Sequence, residues 1–170
     1  LKKLEEVNKL EDYDYAISFG SNFIREKVFQ DINAEYKFLN FPILIHKTAV
    51  ISVGVNIAKG CIIMPNAVVG PKTKIGKFCI LNTNSCLEHD NSMLEFSSIG
   101  PRAVTGGNVI IGKRSYIAIG AVIKNNTSID ADSVIGANSY LNKKVESNSI
   151  YYGSPAQFIR TRSKEDSYIL

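Results

Sequence analysis

The chain has 170 residues, 45% of them hydrophobic and 21% charged, with a formal net charge of +4. This composition is typical of a soluble globular protein of one domain, with or without a small additional unit. No apolar run approaches the roughly 18 residues that cross a bilayer, and the basic residues form no block interleaved with aromatic side chains. We therefore expect no membrane segment and no nucleic-acid partner.

The N-terminal residues LKKLEEVNKLEDYD are polar and helix-like, so they predict no secretion signal. The three cysteines, Cys61, Cys79 and Cys86, form no CxxC pair, and we expect them to be small buried residues in a reducing, cytoplasmic compartment. Residue 1 is Leu rather than Met, so truncation of a longer protein at its N-terminus stays open.

Three short elements are predicted before residue 45. Residues 1–10 predict the end of a helix, residues 15–20 (YAISFG) a buried strand, and residues 21–32 (SNFIREKVFQDI) a second helix. Ser21 and Asn22 are both candidates to cap this second helix.

From Ile45 onwards, a large apolar side chain recurs at every sixth position. Of the seventeen such positions up to Leu141, sixteen hold an aliphatic residue or Met, and Thr105 is the exception. A period of six fits neither an amphipathic helix nor an alternating strand, and it predicts a hexapeptide β-helix. Three hexapeptides then form one triangular coil of 18 residues, with the large residue pointing into the prism.

Residues four places after each large one are mostly small and should point inward near a corner. Because residues 18 apart lie above one another, we expect one inward column to contain Cys61, Cys79, Ser97, Ser115 and Ser133. Asn91 departs from its own column, which otherwise contains Val and Thr, and no function is assigned to it.

One of the two histidines, His89, falls at a predicted corner in the stretch LEHDNS (87–92). The residue stacked above it is Gly107, which should leave an open shelf and an accessible backbone N–H. A general base beside such an N–H suits the attack of an amine or hydroxyl on a thioester. An adjacent acid would orient the imidazole, and the sequence leaves both Asp90 and Glu88 as candidates.

The hexapeptides followed by GSPAQFIR (153–160) resemble the bacterial hexapeptide-repeat acyltransferases. The stretches ILNTNSCLEHDNSMLEF and GGNVIIGKRSYIAIGAVI are similar to the sugar O-/N-acetyltransferases of the sialic acid O-acetyltransferase type. That family includes enzymes acting on UDP-4-amino sugars and GDP-perosamine, and the resemblance covers about residues 10–160.

The resemblance implies a mainly β protein with a left-handed parallel β-helix, preceded by a partial, Rossmann-like βαβ domain that binds a sugar nucleotide. The expected boundaries are 1–44 for that domain, 45–147 for the β-helix and 148–170 for the GSPA segment and tail. A homotrimer with active sites between adjacent prisms is implied as well, with acetyl-CoA as acyl donor and no metal.

The resemblance also implies roles for individual residues. Asp90 would be the acid partner of His89, Asn82 would hold the acceptor sugar, and Asn22 and Arg25 would contact the nucleotide. The positions matched to acetyl-CoA are Gly107, Ile119, Gly120, Ala121, Gly136, Ala137, Gly153 and Pro155.

Two features depart from the family pattern. The opening glycine-rich loop of the nucleotide-binding domain is absent from the sequence, so either the chain is truncated or it handles its acceptor without that loop. Ser98 stands where the most similar family members carry a second histidine beside the acyl donor, which leaves the substrate open.

The expected function is acetyl transfer from acetyl-CoA to the amine of a nucleotide-linked amino sugar, with His89 as general base. The alternatives are O-acetylation of a sialic acid-type sugar and a non-catalytic β-helix scaffold. A zinc hydratase of the γ-carbonic anhydrase type would need three histidine ligands, whereas this chain has only His46 and His89. A covalent acyl intermediate on Cys86 lacks a partner signature.

Overall fold

The computed structural model describes residue 4 and residues 9–167. Its main body is a three-sided parallel β-helix of about six turns. A 3₁₀ helix (Leu10–Asp12) and one α-helix, α1 (Asn22–Glu35), precede it. No helix in this described part combines the length and the apolar character needed to cross a membrane.

Seventeen strands of two residues each build the prism, and two longer strands follow them. In chain order the strands are β1 (Leu44–Ile45), β2 (Val50–Ile51), β3 (Asn56–Ile57), β4 (Ile62–Ile63), β5 (Val68–Val69), β6 (Lys74–Ile75), β7 (Ile80–Leu81), β8 (Cys86–Leu87), β9 (Ser92–Met93), β10 (Ser98–Ile99), β11 (Val104–Thr105), β12 (Ile110–Ile111), β13 (Tyr116–Ile117), β14 (Val122–Ile123), β15 (Ser128–Ile129), β16 (Val134–Ile135), β17 (Tyr140–Leu141), β18 (Ser149–Gly153) and β19 (Ala156–Thr161).

Every third strand joins the same sheet, which gives the prism three faces. Face I has the order β1-β4-β7-β10-β13-β16-β18-β19, face II has the order β2-β5-β8-β11-β14-β17, and face III has the order β3-β6-β9-β12-β15. Paired residues from β1 to β17 are 18 apart, as in Leu44 opposite Ile62 and Ile99 opposite Ile117, whereas the last coil is two residues shorter, with Val134 opposite Ile150. The predicted 18-residue coil is confirmed.

Each corner turns at the third residue after the inward-facing one. From Gly54 to Asn138, these residues have φ between 53° and 81°, and ten of the fifteen are Gly, Asn or Asp. These three residue types tolerate left-handed backbone best, so the composition of the repeat matches the turn that it must make.

The inward column forms the core of the prism. Its members are at most 2% exposed from Ile63 to Leu141, and burying each aliphatic side chain contributes about 1.5–3 kcal/mol. The predicted column of small side chains from Cys61 to Ser133 is fully buried, so this prediction is confirmed.

Side chains in the small column also link successive coils. The thiol of Cys79 donates to the carbonyl of Leu94 at 3.1 Å, and the hydroxyl of Ser115 donates to that of Asp130 at 2.6 Å. In each case the acceptor lies 15 residues further on, at a corner of the next coil. A small polar residue therefore fits the space and also satisfies a corner carbonyl.

Helix α1 packs along the corner between faces III and I, here called corner III/I. The ring of Phe29 lies 4.3 Å from that of Phe78 and 5.9 Å from that of Phe96 between centroids. Lys113 and Arg114 pair with the carboxylate of Glu26 at 2.5 and 2.6 Å. Burial alone would raise the pKa of Glu26, but these two cations outweigh it and the pKa lies below its ordinary value.

Two polar side chains of α1, those of Asn22 and Arg25, are fully buried against the prism. The guanidinium of Arg25 donates to the backbone carbonyls of Phe19, Phe78 and Phe96 at 2.8–2.9 Å. The amide Nδ2 of Asn22 donates at 3.0 Å to the carbonyls of two further prism residues, Arg114 and Ser115.

Ser98 completes this network, because its hydroxyl donates to Asn22 Oδ1 at 2.6 Å and lies 3.0 Å from the guanidinium of Arg25. The nucleotide contact implied for Asn22 and Arg25 is therefore not open to them in this structure, since both side chains are enclosed and bonded within the chain. Ser21 is the helix cap, and its hydroxyl accepts from the N–H of Ile24.

The buried strand predicted for residues 15–20 is wrong. This segment forms no strand, only Ile17 in it is buried, and the adjacent Asp14 forms a single isolated bridge with Asn40. Among the described residues there is no neighbouring strand with which it could form a sheet. The helix end predicted for residues 1–10 lies mostly outside the described residues.

Replacing Arg25 with Met should lower the free energy of unfolding by about 3 kcal/mol. The apolar side chain would leave the buried carbonyls of Phe78 and Phe96, and the partly buried one of Phe19, without their donor. Urea unfolding at neutral pH measures the change. Lys27→Met, on the exposed side of the same helix, is the control and should shift stability by less than about 0.5 kcal/mol. Equal effects of both substitutions would contradict the structural role of Arg25.

Candidate active site

His89 lies at the corner between faces II and III, here called corner II/III. Strand β8 ends at Leu87, and the chain turns at Asp90, which has a φ of 57°. This left-handed residue brings the Asp90 carboxylate back to the imidazole, and Oδ2 lies 2.8 Å from Nδ1 of His89. Of the two candidate acids, Asp90 is therefore the one in contact with the imidazole of His89.

The contact with Asp90 sets which nitrogen of the His89 imidazole carries the proton when the ring is neutral and can act as a base. A carboxylate only accepts hydrogen bonds, so Nδ1 carries the proton that it donates to Asp90. The lone pair of Nε2 is then available to take a proton from an acceptor group. The two side chains are 57% and 48% exposed, so a substrate can reach them.

Glu88, the other acid considered, points elsewhere. It lies on the outer side of face II, where the Cys86 thiol is 3.8 Å from its Oε1. Partial burial, and then the nearby Glu88 charge, raise the pKa of Cys86. Cys86 is only half-buried, so the expectation that the cysteines are buried holds for Cys61 and Cys79 but not for Cys86. The raised pKa of Cys86 opposes its use as a thiolate nucleophile.

Gly107 lies directly above His89, as the repeat predicts, but the shelf is not open. A Cβ built on Gly107 would overlap the imidazole, with 2.5 Å to Nε2, and the ring buries the glycine. Only glycine admits the imidazole at this position. Its amide N–H donates to no acceptor in the described part of the chain.

Asn82 lies at the corner between faces I and II, here called corner I/II. It lines a cavity of about 300 Å³ between residues 18–20 and face I, together with Ser98, Tyr116 and several aliphatic side chains. Its Nδ2 donates to the carbonyl of Ile99 at 2.8 Å, and its Oδ1 receives no donor from the described residues. This arrangement suits an acceptor with a hydroxyl or amine group.

Several residues matched to acetyl-CoA line one groove of about 430 Å³ towards the C-terminal end of corner I/II. The groove contains Ile119, Gly136 and Ala137, and the rings of Tyr116 and Tyr152 lie beside them. Gly120 is the left-handed turn residue of this corner, with φ of 67°.

The hairpin of β18 and β19 lies next to this groove. Gly153 and Pro155 are exposed in its turn, and the Gly153 N–H donates to the hydroxyl of Ser139 at 3.0 Å. The bond ties the hairpin to corner I/II, so both residues stay near the groove that Tyr152 lines.

Two of the positions matched to acetyl-CoA, Ala121 and Gly136, are explained by the packing of the prism itself. Ala121 points into the prism, and its N–H and carbonyl bond to Ala118 and Val104, so it has no group left for a ligand. Gly136 is covered by the ring of Tyr152, which occupies the space of a Cβ.

Apart from Asn22 and Arg25 in α1, the predicted site residues thus lie at or beside two corners of one chain. Asn82 and the groove belong to corner I/II, whereas His89, Asp90 and Gly107 belong to corner II/III. The strand of face II between them rises roughly 3.3 Å per residue, which holds Asn82 and His89 on the order of 15 Å apart.

Sequence reasoning missed the two tyrosines that line the groove, Tyr116 and Tyr152. Tyr116 pairs with Val134 and Val134 pairs with Ile150, only 16 residues further on, so Tyr152 is out of register with Tyr116 and the 18-residue spacing gave no signal for this pair. Among the described residues, no group of three or more His, Cys, Asp and Glu side chains is arranged to hold a metal ion. His46 lies at another coil, beside Thr48.

No family model matches the chain. GDP-perosamine N-acetyltransferase from Escherichia coli O157:H7 is 34% identical over 97 residues, which are 56% of this chain and 43% of that protein. The chain therefore aligns with less than half the length of this curated relative.

Two solved structures extend the comparison. The acetyltransferase domain of PglB from Neisseria gonorrhoeae FA1090, in complex with acetyl coenzyme A, has a TM-score of 0.86 and 27% identity, covering 93% of this chain and 76% of that one. A histidine-to-alanine variant of GDP-perosamine N-acetyltransferase from Caulobacter crescentus, in complex with CoA and GDP-perosamine, has a TM-score of 0.82 and 23% identity, covering 85% and 68%.

These findings confirm the expected handedness and the resemblance. The chain has the left-handed β-helix fold of the hexapeptide-repeat sugar acetyltransferases, and its relatives in sequence and structure are enzymes of that group.

Proposed function

We propose that the chain is an acetyltransferase that transfers an acetyl group from acetyl-CoA to the amine of a nucleotide-linked amino sugar. The observation that carries this proposal is the corner at which His89 pairs with Asp90 at 2.8 Å and covers Gly107. It combines an oriented base with a backbone N–H that has no acceptor among the described residues, the two groups that acyl transfer requires.

In the proposed reaction, Nε2 of His89 takes a proton from the acceptor amine as its nitrogen attacks the thioester carbonyl. The exposed imidazole shifts off Gly107 when the thioester binds, and the Gly107 N–H then donates to the oxygen on which negative charge develops. The carbon–sulfur bond then breaks, and the imidazolium returns the proton to the leaving thiolate. Asp90 stabilises the imidazolium throughout.

The acceptor class rests on the relatives. The E. coli protein is named a GDP-perosamine N-acetyltransferase, and the C. crescentus enzyme was solved with CoA and GDP-perosamine. An amino sugar joined to a nucleotide fits the polar end of the cavity at Asn82, where Oδ1 can accept from an amine or hydroxyl. O-acetylation of a free sialic acid-type sugar is the competing outcome in the assay.

We infer that the complete site forms between two copies of a homotrimer, because one chain holds Asn82 and His89 at different corners. Packing corner II/III of one copy against corner I/II of the next would bring base, acceptor cavity and groove together. The outer side of face II supports such packing, since an apolar column runs along it. Its members are Val50, Val68, Cys86, Val104, Val122 and Tyr140.

The direct test is thiol release from acetyl-CoA in the presence of nucleotide-linked amino sugars and free sialic acids. Stimulation by an amino sugar nucleotide alone supports the proposal. Stimulation by sialic acid alone would favour O-acetylation. The absence of any stimulated release, together with no CoA binding by calorimetry, would favour a non-catalytic scaffold.

His89→Ala should lower kcat by at least ~10²-fold, because the general base is lost. CoA affinity by calorimetry and the oligomeric state by light scattering should stay unchanged. His46→Ala is the matched control, since His46 also lies exposed on the prism and should retain activity within about twofold. Near-normal turnover of His89→Ala would remove it from the mechanism.

Asp90→Asn should lower kcat by at least ~10-fold, since an amide neither favours the Nδ1–H tautomer nor stabilises the imidazolium. Asparagine tolerates the left-handed backbone of this corner, so the turn itself should persist. Glu88→Gln, two positions before it, should leave kcat within about twofold. The reverse pattern would assign the orienting acid to Glu88.

Mixing two inactive variants tests the site between copies. His89→Ala and Asn82→Ala trimers should recover activity when co-expressed, because some interfaces pair an intact His89 with an intact Asn82. Random mixing of equal amounts gives about one quarter of wild-type sites. Purification through two different tags isolates the mixed species. Failure of such mixed trimers to exceed either parent would place both residues in one copy's site.

A further inference from the structure

The two residues that depart most from the repeat are in contact with each other. Thr105 is the one non-apolar residue of the seventeen large positions, and Asn91 is the one amide in its column of Val and Thr. Both are buried, at 0% and 1% exposed, and Nδ2 of Asn91 lies 2.8 Å from Oγ1 of Thr105. They lie on the inner side of the corner that carries His89 and Gly107.

Asn91 bonds to the backbone of both coils at this corner. Its Nδ2 donates to the carbonyl of Glu88 at 2.6 Å and lies 3.1 Å from that of Gly106. Its Oδ1 accepts from the N–H of Val109 at 2.6 Å. The Thr105 hydroxyl adds a further bond, because it accepts from the N–H of Glu88 at 3.3 Å.

In other coils, the inward side chain near the corner forms fewer hydrogen bonds to the backbone. The hydroxyl of Ser115 donates to the carbonyl of Asp130 and accepts from the N–H of Ser133. A hydroxyl has one hydrogen to donate, so it holds one carbonyl. Of the two amide hydrogens of Asn91, one bonds the Glu88 carbonyl and the other is shared between Thr105 Oγ1 and the Gly106 carbonyl. Asn91 therefore connects two corner peptides that other coils hold separately.

These two peptides directly precede His89 and Gly107, the two residues that carry the proposed reactive groups. The Glu88 carbonyl shares a planar peptide with the N–H of His89, and the Gly106 carbonyl shares one with the N–H of Gly107. In a trans peptide the C=O and N–H point in opposite directions. Because Asn91 holds the Gly106 carbonyl from inside the prism, the Gly107 N–H points outward, towards the side where the imidazole lies.

We propose that Asn91 and Thr105 are positioning residues that set the spacing between the His89 imidazole and the Gly107 N–H. Neither contacts substrate, and both act through the backbone of the corner. This role deepens the proposed acetyl transfer and rests on it. It also accounts for two buried polar residues at positions where the repeat supplies apolar or singly bonded side chains.

The test is the double variant Asn91→Thr/Thr105→Val, in which both changes conserve volume. Threonine at position 91 can bond as Thr73 does in the same column, accepting from the N–H 18 residues on and donating to the carbonyl 15 residues on. The variant therefore keeps the ordinary corner bonds and removes the amide that joins the two peptides, together with the Thr105 hydroxyl that accepts from the Glu88 N–H. The single variant Asn91→Thr serves if the double variant does not fold.

We expect kcat to fall about tenfold with the KM for acetyl-CoA within about twofold, since spacing is altered while the acyl donor's groove is not. Nitrogen-15 imidazole spectra give a second readout, because the chain has only two histidines. The His89 resonances should move and those of His46 should not. Thr127→Val, in the same column as Asn91, is the matched control and should change neither readout.

Unchanged His89 resonances in a folded double variant would overturn the positioning role, whatever the activity. So would equal changes in the Thr127→Val control, which would indicate a general loss of packing. If the wild-type chain transfers no acetyl group to any acceptor, the proposed function fails. The imidazole spectra would still decide whether Asn91 and Thr105 position His89.

Discussion

The stacking of parallel strands at a register of 18 residues is the constraint on which the rest of this molecule depends. Backbone bonds such as Leu44 N–H to Cys61 carbonyl at 2.9 Å repeat from coil to coil, so each residue lies above the one 18 places before it. This register brings Gly107 onto His89 and stacks the inward aliphatic side chains into one continuous core. No coil could bury its own interior, and stability is shared between neighbours.

The three corners of the prism carry different structural features. Corner III/I receives α1, through stacked phenylalanine rings and the buried guanidinium of Arg25. Corner I/II carries the Asn82 cavity and the tyrosine-lined groove, and corner II/III carries His89, the proposed base. This division explains why a single chain has all the parts of a candidate active site but does not assemble them. The outer side of face II lies between corners I/II and II/III, so it is the surface on which the proposed contact between copies would form.

Residues that depart from the repeat do so for different physical reasons. Ser98 takes the position where the resemblance implies a second histidine, and its hydroxyl joins the network that anchors Asn22 and Arg25. Asn91 and Thr105 place buried amide and hydroxyl groups under the His89 corner. Gly107 and Gly136 instead make room for aromatic rings that cover them. At these positions a polar residue inside the prism bonds to polar groups around it, and a glycine leaves space for a ring.

The sequence by itself determined the coil length, the inward columns and the pairing of His89 with Gly107, because a strict six-residue period leaves one stacking register. It could not choose between Asp90 and Glu88, since that depended on the left-handed turn at Asp90, where strand alternation no longer applies. It also assigned a strand to residues 15–20 and a ligand contact to Arg25. Only the tertiary structure decided these points, because burial of α1 against the prism depends on contacts between residues more than fifty positions apart.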